Sequence, residues 1–194
     1  MSRGRSLLLF VLAGSVLIYV LLSPQTARPV QSVALHTAPV VRMFPLGDVR
    51  GGPSLTAAFI DRVLALAGSP AQGLGAILYQ LSEQYQIDDA VALAFFHHES
   101  DYGRYGVAAV THNFGNLRCA GYRPCTADDF RVYPSWADGA GDWYHLLASV
   151  YVAQGLVTVQ QIVPVYAPAV DGNDERAYMQ AVLNDLRSWQ EARR

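Results

Sequence analysis

The residue pattern points to a mainly α-helical domain, broken once near its middle by a small non-helical or β-hairpin lobe. Apolar residues recur at helical spacings on both sides of residues 102–133, and capping residues open the first two of those runs. Residues 102–133 themselves hold turn formers and aromatics with no sustained helical period. With 194 residues, 52% of them apolar, the chain can fill one core and has little left for a second.

The first segment stands apart. Arg3 and Arg5 precede an apolar run from Leu7 to Leu22, interrupted only by Gly14 and Ser15. The run falls slightly short of the about 20 residues a spanning helix needs, yet exceeds the about 7–15 of a signal-peptide core. Small residues at alternating positions, the mark of cleavage, are missing save for a poor candidate at Ala27. Residues 1–23 are therefore expected to be an uncleaved single-pass membrane anchor, with secretion after signal cleavage as the alternative. Positive charge on the N-terminal flank places the rest of the chain outside the cytoplasm. Residues 24–53, with prolines at 24, 29, 39, 45 and 53, read as a stalk.

The folded domain is expected over 54–194. Ser54 is a candidate N-cap for a helix carrying Leu55, Phe59, Ile60, Val63, Leu64 and Leu66 on its buried stripe, ended by Gly68. Ser69 and Pro70 open a second, with Ile77, Leu78, Leu81 and Tyr85 inward. A third starts at Asp88 and runs to about Glu99 before Gly103. Its residues Val91, Leu93, Ala94, Phe95 and Phe96 are dense enough for a central, almost wholly buried helix. Helices resume after Ser135, after Thr158, and from about Asn173 to Trp189. Gly139 and Gly141 fall at a helix start, where close packing explains them.

The formal net charge of -2 offers no basic surplus for a nucleic-acid partner. Cys119 and Cys125, close together in an exported chain, are expected to form a disulfide rather than half a zinc site. No Gly-rich phosphate loop or nucleophile elbow occurs, His97 and His98 are adjacent instead of four apart, and neither cofactor nor metal is expected.

The chemistry centres on Phe95-Phe96-His97-His98-Glu99-Ser100-Asp101-Tyr102-Gly103, where a carboxyl closes the most apolar helix. Partial burial raises a carboxyl pKa, as a general acid requires; a solvated glutamate at a helix end is the plain alternative. Downstream come Asn113-Phe114-Gly115-Asn116-Leu117-Arg118, then Phe130-Arg131-Val132-Tyr133 before a helix, then Tyr166-Ala167-Pro168 with Asp171-Gly172-Asn173-Asp174 and Tyr178.

In this order the motifs resemble the glucosaminidase domain of bacterial cell-wall hydrolases, glycoside hydrolase family 73 in the lysozyme-like superfamily, across about Ser54 to Trp189. The resemblance implies a lysozyme-like fold and endo-β-N-acetylglucosaminidase activity on peptidoglycan or a related N-acetylglucosamine glycan. It makes Glu99 the catalytic acid, Asn113 and Asn116 the amide-bearing cleft loop, and Tyr133 the tyrosine facing the glutamate. Tyr102 and Tyr166 join the candidate substrate-binding residues, since aromatic faces stack on sugar rings. Phe114 is a candidate too, although packing under the loop suits it better, and Tyr133 suits core packing equally well.

A second carboxylate should lie about 5–5.5 Å from the acid in a retaining enzyme, or about 6.5–9.5 Å in an inverting one. Asp128 and Asp129 are the candidates, with turn or N-cap roles as their alternative. Without such a partner the same glutamate could act alone in a lytic transglycosylase. A membrane-anchored glycan-binding module that has lost turnover is the rival of another class.

Overall fold

Side-chain caps decide where the helices begin. In α1 (Ala57–Ala67) the Thr56 hydroxyl accepts from Phe59 N–H, and Gly68 closes the helix in the left-handed region. Ser54 bonds instead to Asp88 and Asp89 at the start of α3, so the expected cap lies two residues early. In α2 (Gly75–Tyr85) the difference is larger: the Ser69 hydroxyl does accept from Ala71 N–H, but residues 70–73 form turns. Gly73, at φ 86, breaks any helix there, and the first N–H of α2 is capped from α1 by Asp61 at 2.7 Å.

The computed structural model describes residues 44–192, which are mainly helical. The expected membrane anchor and most of the expected stalk lie outside the described residues. Among those described, no helix is long and apolar enough to cross a membrane. Residues 44–53 pack onto the helices: Val49 is fully buried, and isolated antiparallel bridges join Asp48 to Thr158 and Arg50 to Ile87.

The core is built around α3 (Asp89–Ser100), which starts within a residue of the expected position, with the Asp88 side chain as its cap. Ala90 through Phe96 are all buried, so the helix is enclosed on every side. It packs along α7 (Glu175–Ala192), α1 packs on α2, α2 on α5 (Trp136–Leu146), and α6 (Val159–Tyr166) on α7. Ser135 caps α5, and Thr158 with Gln161 forms a capping box on α6. Leu66, expected on the buried stripe of α1, is 84% exposed. Its neighbours Ile60 and Leu64 already fill the inward face.

Between α3 and α5 lies the small lobe, with one helical turn, α4 (Ala108–Thr111), and two isolated antiparallel bridges, Arg118 to Phe130 and Cys125 to Arg131. The disulfide Cys119–Cys125 is present and closes its tip. After α5 the helix widens into a π-turn over Leu147–Tyr151, which rotates Tyr151 relative to a continuous α-helix.

Candidate active site

Glu99 sits in the last turn of α3, half-buried, with two protein partners on its carboxyl. The Tyr178 hydroxyl from α7 donates to Oε1 at 2.6 Å, and the Asn116 amide donates to Oε2 at 3.1 Å. Burial pushes the Glu99 pKa above its ordinary value and outweighs these two bonds, which favour the ionised form.

The loop after α4 holds Asn116 in place. Asn113 is buried: its Oδ1 accepts from Leu117 N–H at 2.8 Å, while its Nδ2 donates to the carbonyls of Leu117 and Arg131. The Phe114 ring stacks on Phe96 with centroids 4.5 Å apart, and the Ser100 hydroxyl donates to Phe114 O. A side chain at Gly115 would overlap both Trp143 and Tyr166. Asn116 itself adopts φ 49, and its amide also donates to Glu99 O at 2.8 Å. Two bonds to one residue thus fix the amide that touches the carboxyl.

Glu99 opens into a cleft of about 680 Å³ whose walls include Asn116, Arg118, Tyr151, Tyr166 and Asp171. Tyr166 donates to Gly115 O and accepts from the Trp143 indole at 3.2 Å, so its ring is held as part of the wall. Tyr151 lies beside it, with ring centroids 6.1 Å apart. The cleft therefore combines one neutral-leaning acid, a fixed amide and aromatic surface, a set suited to binding a sugar and protonating an oxygen.

Of the residues expected at the site, Glu99, Asn116 and Tyr166 meet at this cleft. Asn113 and Phe114 are corrected from substrate binding to loop support, because both are buried and their polar or aromatic surfaces are consumed internally. Tyr102 is buried and stacks on His97 at 4.7 Å, away from the cleft walls. Tyr133 is buried too, and its hydroxyl donates to Asp142, which also pairs with Arg131 at 2.6 Å. The tyrosine hydrogen-bonded to Glu99 is Tyr178.

Asp128 and Asp129 are exposed on the small lobe and do not line the cleft. Their backbones serve the turn instead: the Asp128 carbonyl accepts from Arg118 and the Asp129 carbonyl from Cys119. Behind Glu99, His97 pairs with Asp185 at 2.6 Å, which raises its pKa. His98 packs on Tyr178 at 3.8 Å, and burial lowers its pKa.

Tyr178 and Tyr151 were missed as site residues. Tyr178 lies in the closing motif and could have been suspected there; Tyr151 owes its place to a π-turn that leaves no periodic signal.

No protein-family model matches the chain, and no curated protein matches its sequence.

Proposed function

We propose that this chain is an exported, membrane-tethered glycan hydrolase of lysozyme-like architecture that cuts β-1,4 bonds of N-acetylglucosamine polymers, peptidoglycan foremost, with Glu99 as proton donor. One observation carries it: a glutamate whose burial raises its pKa stands at a cleft of about 680 Å³ with both oxygens held by Tyr178 and Asn116. Such an acid stays protonated at a pH where exposed carboxylates are ionised, and it can protonate the leaving oxygen as the glycosidic bond breaks. Asn116 and Tyr166 supply the polar and aromatic surface that a sugar ring needs.

A second reading draws support from the carboxylates. With Asp128 and Asp129 off the cleft, Asp171 is the other carboxylate on its walls among the described residues. If Asp171 activates water, the reaction is hydrolysis. If Glu99 acts alone, it is lytic transglycosylation to an anhydro sugar. Digesting purified peptidoglycan with the full-length chain and weighing the products tests both, since they differ by one water. Reducing N-acetylglucosamine ends support the hydrolase, anhydro ends the transglycosylase, and no soluble fragments from any N-acetylglucosamine polymer would refute both.

A further inference from the structure

We propose that Arg118 recognises a carboxylate carried by the glycan strand, so that the cleft prefers acidic strands to neutral N-acetylglucosamine polymers. This rests on the glycan-cleft assignment above and deepens it.

Among the described residues, two carboxyl and two guanidinium side chains line the cleft: Glu99, Asp171, Arg118 and Arg131. Arg131 is already neutralised by Asp142 at 2.6 Å. Arg118 has no carboxylate partner among the described residues; its guanidinium donates at 3.0 Å to the neutral carbonyl of Asp128. Its charge is therefore available to a ligand.

The guanidinium is also held. Its carbon lies 4.2 Å from the centroid of the Phe130 ring, itself a wall of the cleft, and the bridge between residues 118 and 130 sets the two side by side. The Arg131 side chain donates to Arg118 O at 2.8 Å, and the neighbouring Cys119 is tied into the disulfide. With the guanidinium over the ring face and one N–H given to Asp128 O, its remaining N–H groups are left to pair with a carboxylate. Because the side chain is already ordered, less conformational freedom is lost when a ligand arrives.

Position completes the case. Arg118 follows Asn116 by two residues, so their backbones are within about 7 Å, and Asn116 touches the Glu99 carboxyl. The cation thus belongs to the sugar-binding surface beside the acid. A neutral N-acetylglucosamine polymer offers it nothing to pair with. A peptidoglycan strand offers a carboxylate from its peptide stems or, once the stems are removed, from the lactyl ethers of its muramic sugars. The chemistry is the same in both cases.

The test measures binding by the full-length chain in the Glu99→Gln background, which leaves probes intact. Three soluble oligosaccharides of equal length serve as probes: stem-bearing peptidoglycan, peptidoglycan stripped of stems, and N-acetylglucosamine oligomer. At least one acidic probe should bind about tenfold more tightly than the neutral oligomer. Adding Arg118→Gln should bring that ratio to about one, with circular dichroism confirming the fold. Preference for the stem-bearing probe alone assigns the stem carboxylate, and preference for the stripped probe assigns the lactyl group. Equal binding of all three, binding of none, or a preference that survives Arg118→Gln would overturn the proposal. Separate turnover assays on the parent keep the two claims apart. Selective binding without cleavage would defeat only the hydrolase, and cleavage without selectivity only the role of Arg118.

Discussion

The hydroxyl of Tyr178 donates to Glu99 Oε1 at 2.6 Å, joining residues 79 positions apart and tying α7 to the end of α3. This bond favours the ionised carboxylate, opposing the burial that raises the pKa. In Tyr178→Phe only the weaker Asn116 bond still opposes burial, so the Glu99 pKa should rise further. The alkaline limb of the kcat/KM profile, set by loss of the acid's proton, should move to higher pH. An unmoved limb in a folded variant would detach Tyr178 from the acid.

The same shift has a stability consequence. Glu99 has a folded pKa above its unfolded one, so the folded state binds more protons between those values, and stability falls as pH rises through that window. Urea denaturation of parent and Glu99→Gln should show the parent losing stability relative to the variant between the ordinary glutamate range and the raised value. Parallel pH dependences would mean that Glu99 ionises as an exposed group does.

Asn113→Ala should cost about 2–3 kcal/mol, because it strands the N–H and carbonyl of Leu117 in a buried loop. Activity should fall with it, since Asn116 would lose its support. Denaturant midpoints measure the first effect and glycan release the second. A loss of activity with unchanged stability would assign Asn113 directly to substrate.

Gly139 and Gly141, four and six residues after Ser135, should respond in opposite directions to alanine. A Cβ at Gly139 would overlap the backbone oxygen of His112, whereas at Gly141 the nearest atom, a Leu81 methyl, is 3.8 Å away. Gly139→Ala should destabilise by about 1–3 kcal/mol, and Gly141→Ala should stabilise by about 0.5–1 kcal/mol through helix propensity. Thermal midpoints decide. Equal effects would contradict the packing described at Gly139.

These contrasts mark the boundary of what residue order conveys. The helix starts at Asp88, Ser135 and Thr158 were readable because each of these side chains bonds within its own first turn. The start of α2 was not, because its cap comes from Asp61 on another helix. Glu99 was readable from the apolar helix it ends. Its partner was not: the resemblance singles out Tyr133, whereas the packing of α7 along α3 brings Tyr178 to the carboxyl. Asn113 and Asn116 differ in the same way, since the turn at Gly115 sends one amide inward and the other to the cleft.

The most direct measurement compares the rates at which full-length parent and Glu99→Gln release soluble fragments from purified peptidoglycan at matched fold content. With Glu99 as the proton donor, the variant should be slower by about 10²–10⁴-fold while still binding glycan. A variant that releases fragments at the parent's rate would show that another group delivers the proton.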